Sequence, residues 1–360
     1  MEQFIFGAQG IALGTYIAMK TLYPETKTEC FLVSSMAGNP QILAGVPVRE
    51  LRQFASELSN ERKKDTKVLI ATPYNVMEEI EESLRECGLS NYVKLDSIKW
   101  AELQEKAFLK SGNFTPLSIF TAGEEKAEAE VFRMVHYKDK PLEHAFSYQG
   151  YFSTLQVGAA ISDKRISDIA DNQSDNISEK NGDYSEMTGL YWVWKNRIQT
   201  DALKEERYYG LAHYRRFLDL SDEDMKRLKS NDIDVVLPYP MPYEPNIEEH
   251  HLRYLSNSEW NSVLQALEEL EPEYSKAFSD ILQQEYLYNY NVIVAKKSVL
   301  NGYCSWLFPL LFRIEEINNP DGSKKPNRYI GYIGETLETL YFMYNKGRLK
   351  IAHTGCRFLT

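Results

Sequence analysis

The chain has 360 residues, of which 43% are hydrophobic and 26% are charged, so it has the composition of an ordinary globular protein and not that of a disordered or fibrous chain. This length predicts two domains. The formal net charge of −11 at pH 7 argues against a nucleic-acid partner, because binding a phosphate backbone requires a basic face. Aromatic residues make up 12% of the chain, which suits either a packed core or stacking on sugars and bases.

Cysteine use and the first residues indicate a soluble cytoplasmic protein. The four cysteines lie far apart and form no Cys-x-x-Cys pair, so neither a structural zinc site nor a disulfide framework is expected. The N-terminus lacks the basic residues of a secretory signal. The apolar stretch at residues 4–19 is too short and too broken by glycine to span a membrane.

The first predicted domain, residues 1–125, alternates short apolar strands with helices, which predicts a Rossmann-like parallel sheet with helices on both faces. The predicted strands cover residues 3–7, 29–34, 67–72 and 92–95, and the predicted helices cover residues 11–22, 51–60 and 75–87. A charged connector at residues 124–130 precedes the next apolar strand, which places the domain boundary near residue 125.

Glycines at the first strand–helix turn raise the question of a bound dinucleotide. Gly7 and Gly10 would allow a pyrophosphate close to a helix N-terminus, but their spacing is not the strict G-x-G-x-x-G. No Asp or Glu follows the second strand to hold a ribose hydroxyl. NAD is therefore not expected as a cofactor. With Leu43–Val48, this turn resembles small Rossmann-like modules attached to bacterial sugar-processing enzymes, which favours a role in packing, assembly or regulation.

The second predicted domain, residues 126–360, begins with an apolar strand at residues 130–135 that runs into His136 and Lys138. Ligands of open α/β sheets bind beyond the carboxyl ends of the strands, so these two side chains are candidates for a nucleotide site. A histidine satisfied by local hydrogen bonds at a strand end is an equal alternative.

A segment rich in Asp, Asn and Ser at residues 171–181 is the next candidate. Its polar side chains would suit sugar hydroxyls or a divalent cation held by oxygen ligands, and the spacing does not match an EF-hand. The alternative is a loop with an ordinary helix cap. The candidate binding residues in it are Asp171, Asn172, Asp175 and Asn176.

A basic group ends the predicted buried strand at residues 208–212. His213, Arg215 and Arg216 follow it directly, and charged side chains are costly to bury without a partner. Because guanidinium groups bind phosphate bidentately, this arrangement points to a diphosphate. A surface cluster of ion pairs is the alternative.

An ordered series of motifs in residues 130–345 resembles a family of bacterial glycosyltransferases that is encoded in capsule and exopolysaccharide clusters and was long catalogued as a domain of unknown function. The motifs are residues 171–178, 191–196, 210–217, 232–238, 291–297, 303–308 and 328–335. One departure is Tyr290, which stands where the family often has Asn before Asn291.

The resemblance implies a GT-A-like fold and transfer of a sugar from a nucleotide sugar, most readily a UDP-sugar, with galactofuranose as one candidate. It implies Asn291 as a donor-binding residue and Mn²⁺ or Mg²⁺ as a candidate cofactor. Asp232-Ile-Asp234 has the letters of the Asp-x-Asp metal motif but begins an apolar strand instead of ending one. The acceptor would be a glycan or a lipid-linked sugar, with at most peripheral contact at the inner face of the membrane.

The roles predicted for individual residues follow the needs of sugar transfer. The growing charge of a leaving diphosphate must be stabilised, which suits His213, Arg215 and Arg216. The acceptor hydroxyl needs a base in an inverting enzyme, and Glu335, after a glycine-containing turn at a helix start, is the candidate. A helix N-terminal acid favoured by the helix dipole is the alternative for Glu335. An NAD-dependent sugar-modifying enzyme and a noncatalytic nucleotide- or glycan-binding module are the alternative functions.

Overall fold

The computed structural model describes residues 2–200, 207–320, 322 and 327–360. The chain forms two compact units: one contains Met1–Pro116, Met241–Glu244 and Thr360, and the other contains Leu117–Pro240 and Pro245–Leu359. The boundary near residue 125 stays a prediction, because compactness alone does not test independent folding. Among the described residues, no helix has the length and apolar character needed to cross a membrane.

Helices and strands alternate through most of the described chain. The strands are β1 (Glu2–Phe6), β2 (Lys27–Val33), β3 (Ile42–Leu43), β4 (Val46–Glu50), β5 (Lys67–Ile70), β6 (Tyr92–Lys94), β7 (Ala129–Val135), β8 (Phe152–Gln156), β9 (Ile169–Ala170), β10 (Tyr208–His213), β11 (Arg216–Leu218), β12 (Val235–Pro238), β13 (Met241–Pro242), β14 (Tyr286–Leu287), β15 (Ile293–Lys296), β16 (Ile351–Thr354) and β17 (Cys356–Phe358). The α-helices are α1 (Gly10–Leu22), α2 (Leu51–Ser56), α3 (Asn60–Asp65), α4 (Met77–Glu86), α5 (Ser97–Ser111), α6 (Asn181–Tyr184), α7 (Met187–Val193), α8 (Asp222–Ser230), α9 (Ile247–His251), α10 (Asn257–Leu270), α11 (Pro272–Leu282), α12 (Lys297–Asn318) and α13 (Tyr329–Tyr344).

The first unit is built on a six-stranded sheet in the order β3-β4-β2-β1-β5-β6. All pairs are parallel except β3 with β4. Apolar side chains alternate between two clusters, one on each face of the sheet; Phe4 and Phe6 belong to one cluster and Ile5 to the other. Because both faces of the sheet are buried, the central strand β1 contains consecutive apolar residues.

The glycine turn of the first unit is covered by residues of the same unit. A methyl group on Gly10 would lie 3.2 Å from the Tyr243 ring and 3.3 Å from the main-chain oxygen of Pro242. Glu244 accepts a hydrogen bond of 2.5 Å from the main-chain N–H of Ala44. The chain itself therefore occupies the approach that a pyrophosphate would need at Gly10.

The second unit is built on a seven-stranded sheet in the order β16-β12-β15-β10-β7-β8-β9. β15 is antiparallel to β10 and β12, and the other neighbours are parallel. The chain proceeds from β7 outward to β8 and β9, and β10 then starts the other half. The strand order therefore reverses between β7 and β10, and the crevice at their carboxyl ends is where ligands of such sheets bind. The α/β class expected from the sequence is confirmed.

Asp232 and Asp234 lie away from the crevice in this arrangement. Both lie at the amino end of β12, at the opposite edge of the sheet from the crevice. Lys296 pairs with Asp232 at 2.5 Å and with Asp234 at 2.8 Å, and the main-chain N–H of Lys350 donates to Asp234 at 2.8 Å. These contacts explain the two carboxylates as an ion-pair cluster at a strand start. Across the described ranges, no three His, Cys, Asp or Glu side chains converge as metal ligands would.

Candidate active site

The carboxyl edge of the second sheet brings together residues from distant parts of the chain. His136 follows β7, Asp171 follows β9, and His213 ends β10. Because β15 is antiparallel, Asn291, two residues before its start, lies at the same edge. Glu335 reaches this group from the second turn of α13, through hydrogen bonds to the residues before Asn291.

Asp171 is a structural carboxylate at this edge. It is fully buried, and its oxygens accept from the main-chain N–H groups of Gly158 (2.9 Å) and Ala159 (3.0 Å) and from the hydroxyls of Ser178 (2.5 Å) and Thr188 (2.7 Å). A carboxylate has about four acceptor sites, and all are used. We therefore correct the role predicted from the sequence: Asp171 positions the loops after β8 and β9 and has no lone pair left for a donor sugar.

The other polar residues of the 171–181 segment point in separate directions. Asn172 accepts from Arg165 at 3.3 Å, and exposed Asp175 accepts from the Tyr191 hydroxyl at 3.1 Å. The Asn176 side chain accepts the main-chain N–H two residues on, which is a local turn. Asn172 and Asn176 both line a cavity of about 1200 Å³ that includes neither histidine and neither arginine of the predicted donor site.

A turn with strained backbone lies at the centre of the edge. Tyr290 and Asn291 have φ values of 75° and 49°, a region that Asn tolerates and a bulky aromatic residue rarely adopts. The main-chain oxygen of Tyr290 lies 2.5 Å from His213 Nε2, which must donate because a carbonyl only accepts. Asn291 Nδ2 donates to Glu186 at 2.8 Å and to the Gly331 oxygen at 3.3 Å. The strain is therefore offset by contacts to three other segments.

Glu335 has the environment of a proton-accepting carboxyl. It is partly buried, Asn289 Nδ2 lies 3.3 Å from its Oε2, and the main-chain N–H of Tyr290 also donates to it. Burial, reinforced by the nearby Glu186 carboxylate, raises the pKa of Glu335 to about 8, against the opposing effect of those hydrogen bonds and of Arg216. A carboxyl with such a pKa near neutral pH can exchange a proton with a substrate hydroxyl.

The two adjacent arginines have different environments. Arg215 is partly buried, and its Nη2 donates to the main-chain oxygens of Lys140 (3.1 Å) and Pro141 (3.4 Å) in the loop after β7. Arg216 is exposed, and its guanidinium carbon lies 4.4 Å from the centroid of the Tyr290 ring. In the part of the chain that the structure describes, Arg216 has no carboxylate within ion-pair distance. Arg216 is therefore the guanidinium that is open to an anion, and Arg215 holds a loop.

His136 and Lys138, both in the loop after β7, lie in different environments. The main-chain N–H of His136 donates to Asp139 at 2.7 Å, and His136 Nδ1 accepts from the main-chain N–H of Lys138 at 3.2 Å. Burial lowers the pKa of His136 below its ordinary value of 6.5, so the ring is neutral at pH 7 and its Nε2 carries the proton. Lys138 is exposed, with its ammonium nitrogen 5.3 Å from the centroid of the Tyr137 ring.

Comparison with known protein families shows which family contains this chain. The family model described as a domain of unknown function (DUF4422) matches residues 131–346, which is more than half of the chain. The chain belongs to the DUF4422 family. The matched range contains the crevice, Arg216 and Glu335. The sequence-based resemblance to a family long catalogued in this way is confirmed at that level.

One solved structure extends this comparison. The DUF4422 chain is similar to the apo structure of WbbM, a bifunctional glycosyltransferase, with 27% sequence identity and a TM-score of 0.55. The similarity covers 65% of this chain and 45% of the WbbM chain, so this chain spans less than half of that relative. No curated protein sequence matches this chain.

Sequence reasoning assigned no role to three residues near the site. Glu186 contacts Asn291, and Asn289 contacts Glu335. Arg328 donates to the Ser185 hydroxyl at 3.0 Å. A lone acidic residue ahead of the apolar helix α7 was a usable signal for Glu186, because a buried carboxylate needs a partner. The family motif at residues 328–335 already contained Arg328, but Asn289 had no local signal.

Proposed function

We propose that this protein is a glycosyltransferase that moves a sugar from a nucleoside-diphosphate donor to a glycan or lipid-linked acceptor in surface polysaccharide synthesis. The observation that carries the proposal is the turn at residues 289–291. Its Tyr290 main-chain N–H holds the Glu335 carboxyl, and its Tyr290 ring packs under the guanidinium of Arg216. A base and a free cation thus share one turn at the crevice of the sheet.

Arg216 and Lys138 stabilise the leaving diphosphate. Both are exposed cations next to strand ends that flank the reversal of strand order. As the bond to the sugar breaks, negative charge grows on the diphosphate, and preorganised cations lower the energy of that state. His213 is held against the Tyr290 oxygen and keeps the turn in place, and neutral His136 donates a hydrogen bond to the nucleotide from Nε2.

Glu335 accepts the proton of the acceptor hydroxyl. Its carboxylate form is required for this step, and its pKa of about 8 gives a conjugate acid close to the operating pH. Asn289 and the Tyr290 N–H fix the orientation of the carboxyl. The same positioning aligns the hydroxyl with the sugar, which lowers the barrier by restricting the reactants.

One comparison and two structural observations support this function over two others. The similarity to a glycosyltransferase covers 65% of this chain. An NAD-dependent enzyme is opposed by Tyr243 and Pro242, which pack against Gly10 at the turn where a pyrophosphate would bind. A noncatalytic binding module would not need a carboxyl with a pKa raised to about 8. UDP-galactofuranose is the donor that the family resemblance favours, and the cytoplasmic face of a membrane is the location that fits a lipid-linked acceptor.

Calorimetric titration of the full chain with UDP tests the diphosphate step. Arg216→Ala removes one charge-assisted contact and should weaken UDP binding about 10- to 100-fold. Arg348→Ala, which removes the same charge from an exposed position beyond the far end of α13, should leave UDP affinity unchanged. Equal UDP affinity of Arg216→Ala and the unaltered protein would refute the assignment, and absence of UDP binding by the unaltered protein would refute the donor class.

A further inference from the structure

A large cavity lies in the second unit, next to the loops that follow β8 and β9. The cavity of about 1200 Å³ is large enough for a sugar unit and is lined by polar side chains and by the partly buried ring of Phe312. Two of its wall residues are Asn172 and Asn176, from the segment where the sequence predicted a binding loop. The cavity has no role in the transfer steps described above.

The charge of the cavity wall disfavours a diphosphate. Four carboxyl groups, those of Glu179, Asp183, Glu315 and Glu316, and a single ammonium group, that of Lys180, lie among its described lining residues. Lys180 is already engaged, with Nζ 2.6 Å from Glu315 Oε2. An anionic ligand would meet net negative charge here, whereas the hydroxyls of a neutral ligand can donate to carboxylate oxygens.

Asn319 gives an independent indication of a ligand. Its side chain lines the cavity, is 7% exposed, and donates from Nδ2 to the Tyr329 hydroxyl at 3.2 Å. Within the described residues its Oδ1 has no hydrogen-bond partner. A buried amide oxygen without a donor is unfavourable. Because this oxygen lies just beneath the cavity surface, a small rotation of the Asn319 side chain would let a ligand hydroxyl donate to it.

The cavity and the catalytic turn are joined by a short stretch of chain. Residues 178–180, 182 and 183 contribute to the cavity wall, and Glu186, three residues further on, contacts Asn291 in the turn. The ring of Phe312, which also lines the cavity, packs near Tyr191, with centroids 6.0 Å apart. An aromatic ring beside amide and carboxylate oxygens suits a sugar ring, which has apolar C–H faces and hydroxyl edges.

We propose that this cavity is the acceptor subsite and that it binds a neutral, polyhydroxylated sugar through Asn172, Asn319 and the carboxylates of its wall. The assignment rests on the proposed transferase function, because it gives the second substrate of that reaction its place. It separates the two substrates by charge: the diphosphate donor at Arg216 and the uncharged acceptor at the acidic wall.

Saturation-transfer NMR on the full chain tests the subsite with neutral methyl glycosides of glucopyranose, galactopyranose and galactofuranose as probes. Asn172→Ala and Asn319→Ala should each weaken binding of the glycoside that the unaltered protein binds best, by about tenfold. Gln173→Ala, an exposed neighbour outside the cavity wall, should have no effect. Methyl glucuronide, which adds one carboxylate to the glucoside, should bind about fivefold more weakly than the glucoside.

Parallel titration with UDP distinguishes the two proposals. UDP affinity should be unchanged in Asn172→Ala and Asn319→Ala, and Asn172 is partly exposed, so its variant tests the site even if Asn319→Ala unfolds. The subsite is refuted if no glycoside binds, or if Asn172→Ala binds the glycoside as tightly as the unaltered protein does. In either case, UDP binding by the unaltered protein would still support the transferase proposal. A loss of UDP affinity in Asn172→Ala would overturn the separation of the substrates. If the protein binds the glycoside but not UDP, the proposed UDP-sugar donor is refuted and the sugar-binding cavity is retained.

Discussion

The proton equilibrium of Glu335 gives the sharpest test of the catalytic turn. If Glu335 is the base, only its carboxylate form is active, and with a pKa of about 8 roughly a tenth of the molecules carry that form at pH 7. Turnover should rise about tenfold from pH 6 to pH 7 and level off above pH 8. A glutamate with the ordinary value of 4.5 would give a flat profile over this range.

Two substitutions separate this explanation from a structural role. Glu335→Gln should lower turnover by about 10²- to 10⁴-fold, while Glu249→Gln, at an exposed carboxyl on α9, should retain activity. Asn289→Ala removes a hydrogen bond that favours the carboxylate, so the rising limb of the profile should move to higher pH. Initial rates of UDP release with acceptor present, from pH 6 to pH 9, measure all of these effects. A flat profile, or near-normal turnover of Glu335→Gln, would remove Glu335 from the mechanism.

The same pKa predicts a change of stability with pH. The folded pKa is above the unfolded value, so between pH 4.5 and about 8 the folded protein keeps a proton that the unfolded chain releases. The stability contributed by that proton is fully present below pH 4.5 and is lost as pH rises to about 8. The full effect is at most about 5 kcal/mol, and partial exposure of Glu335 reduces it to roughly 2 kcal/mol. In urea unfolding, Glu335→Gln should therefore become more stable relative to the unaltered protein as pH rises from 5 to 8.5, and a constant difference would contradict the raised pKa.

Two further substitutions test the frame around the site. Asp171→Asn cannot satisfy all four donors and should lower the free energy of unfolding by about 2–4 kcal/mol; a change below about 0.5 kcal/mol in urea titration would contradict its positioning role. Gly210→Ala in β10 places a methyl group 2.5 Å from the Ile293 main-chain oxygen, whereas Gly150→Ala meets no atom within 4 Å. The first should cost about 2 kcal/mol or more and lower the melting temperature by several degrees, and the second should be close to neutral; equal melting temperatures would show that β10 and β15 can move apart.

Much of the fold could be read from local sequence patterns. Alternating strands and helices predicted the sheet of the first unit, the family resemblance implied that of the second, and the strand expected at residues 208–212 is β10. His136 and His213 were each expected at the carboxyl end of a strand, and the parallel pairing of β7 with β10 places those two ends at one edge of the sheet. The helix predicted at residues 51–60 was partly wrong, since α2 ends at Ser56 and α3 begins at Asn60. The predicted helix is interrupted because the Ser59 side chain caps the N-terminus of α3.

The functions of individual polar residues were harder to predict. Asp171 looked like a ligand because it belongs to a segment dense in polar side chains, yet local loops and helix α7 supply every donor it needs. Arg215 and Arg216 are adjacent in sequence, but one donates to the loop after β7 and the other remains open. Composition and spacing cannot distinguish these cases, because both depend on which other segment supplies a partner.

By itself, the sequence determined the sheet-forming elements, the acidic balance of the chain and the chemical types available at the strand ends. Those properties are encoded in side-chain periodicity and in neighbours a few residues apart. Only the tertiary structure decided that Tyr290 links Glu335 to Arg216, that Asn291 meets Glu186, and that the loops after β8 and β9 form an acidic cavity with the end of α12. These contacts join residues 45 to 105 positions apart, and the burial that raises the pKa of Glu335 exists only when those segments pack together.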